Sequence, residues 1–469
     1  MPYRPTIGLE VHAELKTRTK MFCACKNDPD EKRPNVNICP ICLAHPGTLP
    51  VINKKAVEHI LRLGAAVGGT IADFTEFDRK NYFYPDIPKG YQISQYQHPL
   101  VKGGELAGVQ ITRVHLEEDT ARSSHENPKE TLIDFNRAGV PLMELVTEPV
   151  IHDVETALRF AKELQLLLRT LGAGEANMEK GEMRVEANIS ISDSDQFGTK
   201  VEVKNLNSFR AVEKAILYEL ARHQKLLQSG GKVIQETRGW DDVKQETYAQ
   251  RLKEDSHDYR YFPDPDLPKL QLSEIPEFSI EHLKQSLGEL PWQKRARYQE
   301  HLGLKKEDAD MLVSDPVLGP LFDAVVEELQ DVGMLQLAAN YITSDLAGLL
   351  KQGGGGALLI SAPHFAELIR MLKEQELSSR AGKDILKTMF EQGGSPRTLA
   401  EQGGLLQQHD AGELQVIVEK IIADNPKVAA DFKAGKDASL QFLIGQAMES
   451  TKGAGNPALL ATLFRKLLA

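Results

Sequence analysis

Two sets of residues combine chemistry with suggestive spacing. The first is Cys23-Ala-Cys25 and Cys39-Pro-Ile-Cys42, which together are all the cysteines of the chain. Two close pairs around a short loop can bring four thiolates onto one tetrahedral ion, the ligand set that suits Zn²⁺. The loop, residues 26–38, is polar and holds Pro29 and Pro34, so it is neither a helix nor a core strand. A metal would order a segment that cannot bury enough apolar surface to order itself. Four protein thiolates leave no open coordination position, so the expected role is structural. Free or disulfide-bonded cysteines are the competing reading.

The second set lies on the polar faces of predicted strands. Glu10 shares a face with His12, and Glu186 with Asn188. His115, Glu117 and Asp119 share another, with Glu118 on the opposite side. Carboxylates beside an imidazole or amide, if adjacent strands bring them together, can hold Mg²⁺ and a nucleotide phosphate. Phosphoryl transfer also needs fixed cations, and Arg79, Lys80, Lys200 and Lys204 are candidates. Taken singly, each is equally an ordinary exposed charge. Aromatic and basic residues interleave over 79–91 and 257–263, which suits stacking on a base or packing under a loop.

These side chains need a sheet to position them. Residues 5–15 alternate, with Ile7, Leu9, Val11, Ala13 and Leu15 on one face and Glu10, His12 and Glu14 on the other. Residues 183–192 and 199–205 alternate likewise, and a fourth strand covers 108–119. Two helices are expected among them. One follows Asp153 and stops at Gly172; the other runs from about Ser208 to Gln228. Beyond Pro291 strand signals give way to short amphipathic helices with glycine breaks, such as 353–356 and 403–404. The fold class is α+β, a largely antiparallel sheet followed by an all-α region.

Of 469 residues, 41% are hydrophobic and 26% charged, the composition of a globular protein. A net charge of −11 argues against indiscriminate nucleic-acid binding but leaves room for a local basic groove. No apolar stretch is long enough to span a bilayer, and Met1-Pro-Tyr-Arg4 runs almost directly into a strand. A cytoplasmic protein without membrane association is expected. No P-loop, dinucleotide fingerprint or nucleophile elbow is present.

The longer motifs resemble those of the GatB family of tRNA-dependent amidotransferases along the whole chain. They are Ile7-Gly-Leu-Glu-Val-His-Ala-Glu14, Arg79-Lys-Asn-Tyr-Phe-Tyr-Pro-Asp86, His115-Leu-Glu-Glu-Asp119 and Asp134-Phe-Asn-Arg-Ala-Gly139. Glu148-Pro149, Lys204-Asn-Leu-Asn-Ser-Phe209, His257-Asp-Tyr-Arg-Tyr-Phe-Pro263 and Lys452-Gly-Ala-Gly-Asn-Pro457 follow in the same order.

The resemblance implies a cradle-shaped catalytic domain over 1–292 with a zinc-binding insertion at 23–42, a helical domain over 293–404 and a small helical tail over 405–469. It also implies a reaction. ATP phosphorylates the side-chain carboxylate of Glu on tRNA-Gln, or Asp on tRNA-Asn. Ammonia from an amidase subunit, GatA, then displaces the phosphate, and a small subunit, GatC, completes a heterotrimer.

On this resemblance Glu10, His12, Lys80, Glu117, Glu118, Asp119, Glu148, Glu186 and Asn188 are the expected catalytic set. Arg79, Lys204 and Asn205 would meet the nucleotide, and Glu10, His12 and Glu118 would hold Mg²⁺. The tail would offer Lys433, Lys436, Lys452, Arg465 and Lys466 to tRNA. Glu186 stands where the family usually shows Asp. The cysteine cluster is similar to that of the family's zinc-bearing members. The alternative is a tRNA-binding scaffold with a catalytically idle cradle, which would consume no ATP in response to misacylated tRNA.

Overall fold

The structure, a computed structural model, describes residues 3–124, 129–252, 259–353, 358–407, 411–451 and 455–468. The chain divides into two compact units, Met1–Pro291 and Trp292–Ala469.

Alternation in the first strand, Arg4–Glu14, decides the layering of the first unit. Ile7, Leu9, Val11 and Ala13 are buried, and so are Val185, Ala187 and Ile189 on the neighbouring strand Met183–Ser192. Their shared apolar face carries helices Val154–Thr170 and Phe209–Gln228, which pack on each other and on the sheet. Each fully buried aliphatic side chain contributes about 1.5–3 kcal/mol. Asp153 and Ser208 cap the two helices through side-chain acceptance from the third residue on. Gly172, at φ +63°, turns the chain after the first of them.

The sheet has ten strands among the described residues. From one edge the central order is Glu236–Asp241, Val201–Leu206, Met183–Ser192, Arg4–Glu14, Pro141–Thr147 and Val109–Glu118. Pairing along this order is antiparallel except between Val201–Leu206 and Glu236–Asp241. That parallel pair is joined through helix Phe209–Gln228, the crossover a parallel pair requires. The α+β expectation with a largely antiparallel sheet is met.

Several elements go beyond the sequence pattern. Strand Pro141–Thr147 lies between two expected strands, and the hairpin of Glu236–Asp241 with Glu246–Leu252 extends one edge. A third long helix, Lys54–Ala66, begins where Asn53 accepts from Lys55 and Ala56. A separate three-stranded sheet joins Asp78–Asn81 to Tyr91–Ser94 and Phe262–Pro263.

Among the described residues, the second unit is built of helices with two apolar cores. One gathers residues between Tyr298 and Ala400, with Phe322, Ile342, Phe365 and Ile385 fully or nearly fully buried. The other gathers Leu414, Val418, Leu440, Leu443, Leu460 and Phe464. Among the described residues no helix is long and apolar enough to cross a membrane.

Candidate active site on the polar face of the sheet

Sheet register assembles the site. His12 stands opposite Glu144 on one side and Arg184 on the other, and Glu144 in turn stands opposite His115. Two residues along the strand, Glu10 pairs with Glu186 and Val146, and Gly8 with Asn188 beyond it. Asn188 then faces Glu202. Five strands thus present one continuous polar face, with side chains at every second position pointing the same way.

The strongest relationships centre on Glu144, which no sequence motif singles out. Its Oε2 lies 3.4 Å from His12 Nε2 and 3.5 Å from His115 Nε2, and its Oε1 lies 3.4 Å from Arg113. Burial raises a carboxyl pKa, but His115, His12 and Lys80 outweigh it and hold Glu144 well below the usual carboxylate range. Burial lowers His12, but the hydrogen bond and charge of Glu144, with Glu186 and Glu10, push it up to about 9. His12 is therefore a cation at neutral pH. Glu10 behaves oppositely. Burial, then Glu144 and Glu186, push it up to about 7.

Donor atoms converge in three overlapping groups. Glu10, His12 and Glu144 form one, His115, Glu117 and Glu144 a second, and Glu10, Glu186 and Glu202 a third. In each, one donor atom per residue lies within 4.8 Å of the others. The third group offers only carboxylate oxygens, the set a hard ion such as Mg²⁺ prefers. Lys204 bridges two of its members, 2.6 Å from Glu186 and 3.6 Å from Glu202. Among the described residues, buried Asn188 Oδ1, His12 Nδ1 and His115 Nδ1 have no hydrogen-bond partner, as expected of groups that meet a ligand. The residues fit a divalent cation.

Above this face is a cavity of about 310 Å³. Its lining includes Glu10, Lys80, Arg113, His115, Glu117, Glu144, Glu202 and Lys204. Tyr96 and Tyr261 stack at 4.3 Å between centroids on its rim, and Tyr259 meets Tyr261 edge-on. Lys80 Nζ sits 5.3 Å from the Tyr259 ring centre and 4.0 Å from Glu117. Glu117 is fixed by donation from Ser94 Oγ at 2.6 Å and Gln92 Nε2 at 3.1 Å. Burial opposes its ionisation, yet Lys80 and His115 bring it down to about 2. A fixed ammonium and the ionised carboxylates of Glu117 and Glu144 thus line one recess, with the His12–Glu144 pair beside it, an arrangement that can take a polyphosphate with its metal.

Other expected residues fall elsewhere. Glu118 points to the opposite side, where it pairs with Lys89 and accepts from Ile93 N. It does not join Glu10 and His12, because neighbouring strand residues face opposite ways. Asp119 lies with Glu14, Arg137 and Arg184, its Oδ1 3.4 Å from Arg184. Arg79, unlike its neighbour Lys80, is turned away from the cavity. It is paired with Asp264 at 2.9 Å and Asp266 at 3.0 Å and stacked over Tyr91. Glu148 accepts from Thr112 at the strand end, and Asn205 is exposed at φ +65°. In the tail Lys433, Arg465 and Lys466 are exposed, and Lys436 pairs with Asp431. Lys452, His257 and Asp258 lie outside the described residues.

The four cysteines do converge, with Sγ atoms within 4.8 Å of one another. Cys42 Sγ lies 3.8 Å from Cys39 Sγ and 4.0 Å from Cys25 Sγ. Zinc–sulfur bonds of about 2.3 Å in a tetrahedron set sulfurs about 3.8 Å apart. A disulfide needs about 2.05 Å. The cluster therefore fits a metal and not a disulfide.

Comparison with known proteins agrees along the chain. The family described as the GatB/GatE catalytic domain matches residues 5–276, and the one described as the GatB domain matches residues 320–468. A relative from Persephonella marina, named as the B subunit of an aspartyl/glutamyl-tRNA(Asn/Gln) amidotransferase, is 41% identical over 482 residues, covering 100% of both chains. A Synechocystis protein of the same name is 42% identical over 493 residues, covering 100% of this chain and 98% of its own. With both regions matched and relatives alike end to end, this chain belongs to the GatB/GatE family.

Proposed function

We propose that this chain is the catalytic B component of a tRNA-dependent amidotransferase, acting on Glu carried by tRNA-Gln, Asp carried by tRNA-Asn, or both. The observation that carries the reading is the five-strand polar face under a tyrosine-rimmed cavity, in a chain of this family. A carboxylate is a poor acyl donor, so amide formation needs activation. The substrate carboxylate oxygen attacks the γ-phosphorus of ATP, ADP leaves, and an acyl phosphate forms. Ammonia then attacks the acyl carbon and phosphate departs, leaving the amide after loss of a proton.

The residues divide this work by charge. Glu10, Glu186 and Glu202 would hold Mg²⁺, which supplies positive charge to the nucleotide phosphates. Lys80 places an ammonium at the cavity wall, where charge on a transferring phosphoryl group needs it. His12, kept protonated by Glu144, serves as a hydrogen-bond donor to phosphoryl oxygen and not as a base. Tyr259 and Tyr261 restrict water at the rim, which protects an acyl phosphate from hydrolysis. Ammonia would come from the amidase partner GatA, held with GatC, and the tail would meet the tRNA. Zinc in the cysteine cluster would be structural.

The test is reconstitution of the full chain with the amidase and small subunits. Glu-tRNA-Gln and Asp-tRNA-Asn are supplied separately with ATP and glutamine. Glu10→Gln should abolish ADP release stimulated by aminoacyl-tRNA while glutamine hydrolysis survives. ATP-dependent amide formation persisting in that variant would overturn the reading. Absence of such ATP use in the wild type would favour the scaffold.

A further inference from the structure

Lys20, beside the cysteine cluster, carries a charge that its surroundings do not explain. Its side chain belongs to a residue with 0% exposure, yet it makes no ion pair with a carboxylate among the described residues. Glu118, which borders the same glycine, Gly139, is paired with Lys89 instead. The polar contacts of Lys20 Nζ are the Phe135 carbonyl at 3.1 Å and Cys42 Sγ at 3.9 Å. A buried ammonium with a single carbonyl acceptor carries a desolvation cost unless an anion faces it. The sulfur is the group that can be that anion.

We infer that Lys20 is the buried counter-charge of a four-thiolate zinc site and sets its affinity for the metal. This rests on reading the cysteines as a zinc site. A divalent ion entering four thiols displaces their protons, so the site becomes more negative by two charges as it fills. A fixed positive charge beside Cys42 favours that change. The backbone anchors it there. Lys20 N–H donates to the Cys25 carbonyl at 3.0 Å, and Met21 N–H to the Gly139 carbonyl at 2.7 Å. Cys42 Sγ takes a second donor, the Cys39 N–H at 3.1 Å. Lys20 is thus a positioning and charge-balancing residue for the metal, outside the amidation chemistry.

The test measures zinc affinity of the full-length chain by competition with a chromophoric chelator at neutral pH, with metal content measured alongside. Outer partners of metal ligands typically govern about 10- to 100-fold in affinity. Lys20→Met and Lys20→Gln should each weaken zinc binding by about 10-fold or more. Lys20→Arg should keep most of the affinity. Circular dichroism checks the fold of each chain, and if Lys20→Met does not fold, the Gln and Arg variants decide. Unchanged affinity in Lys20→Gln would overturn the inference, since that variant keeps a donor for Phe135 and loses only the charge. A wild-type chain that binds no zinc would overturn it at its base, through failure of the metal reading itself.

Discussion

His12 and Glu144 stand directly opposite each other in sheet register, with Nε2 and Oε2 3.4 Å apart. Each favours the other's charged form: the imidazole rises to about 9 and the carboxyl falls below its ordinary value. Glu144→Gln removes the anion while keeping the shape. His12 should then titrate well below its wild-type value, measured by NMR of the imidazole. Transamidation should fall by about 10²-fold or more, the usual cost of a lost charge-stabilising group. A full rate with His12 still protonated at neutral pH would show that Glu144 is not the anchor.

Much of this site was legible because its strands alternate. Glu10 and His12 are visible as polar positions in Ile7-Gly-Leu-Glu-Val-His-Ala, and so are Glu186 and Asn188. Glu144 was hidden for a physical reason. Strand Pro141–Thr147 is buried on both faces over most of its length, so its sequence reads as an apolar run without period two. The available signal was a lone carboxylate inside such a run, which must be paired. Arg79 and Lys80 show a different limit. They look equivalent as neighbours, but Asp264 and Asp266, far along the chain, claim one and leave the other to the cavity. No local pattern reports a partner at that separation.

That division separates two variants. Lys80→Ala should lower kcat for ATP-dependent amidation more than it changes tRNA affinity. Arg79→Ala leaves Asp264 buried without its cation, and should cost about 3 kcal/mol of stability. Chemical denaturation and steady-state kinetics on both variants check this. A stable Arg79→Ala chain with a kcat defect equal to that of Lys80→Ala would contradict the assignment.

The first unit should lose stability as pH rises from the acid side through neutrality. Burial, followed by the Asp119 charge, pushes Glu14 up to about 8, and Glu10 stands at about 7. A carboxyl raised above its unfolded value favours the folded chain least once both states are ionised: relative to its protonated form, it loses stability as pH rises from near 4.5 to the folded value. His12 adds the same trend, with its contribution complete below 6.5 and lost through about 9. Thermal midpoints of the metal-free chain should therefore fall as pH rises from about 4.5 to about 9, with Glu10 contributing only up to about 7 and His12 alone at the top of the range. Glu14→Gln should flatten the fall, and a curve unchanged by that substitution would exclude Glu14 as its source.

Metal analysis of the purified chain should find zinc near one equivalent, since the sulfurs converge on a single point. Cys39→Ala should lose the metal and make residues 23–42 susceptible to proteolysis. Amidation at the sheet face should suffer less than that local order does. Zinc far below one equivalent in a carefully prepared wild-type chain would refute the site.

Removal of the tail from residue 405 onward should weaken tRNA binding and leave glutamine hydrolysis nearly unchanged. The tail helices close on their own core of Leu414, Val418, Leu443, Leu460 and Phe464, so their loss need not empty the core between Tyr298 and Ala400. They leave Lys433, Arg465 and Lys466 exposed to solvent, whereas Lys436 is engaged by Asp431. Cations that neutralise phosphates release counterions, so affinity falls with salt by a slope of roughly 0.7–0.9 per contact. Losing these side chains should reduce that slope by about 2 and raise the KM for aminoacyl-tRNA strongly. Lys433→Glu and Lys466→Glu in the intact chain should reproduce part of the effect without disturbing the helices. Equal tRNA affinity across a salt titration, in a truncated complex that remains folded, would reduce the tail to a solvated helical cap.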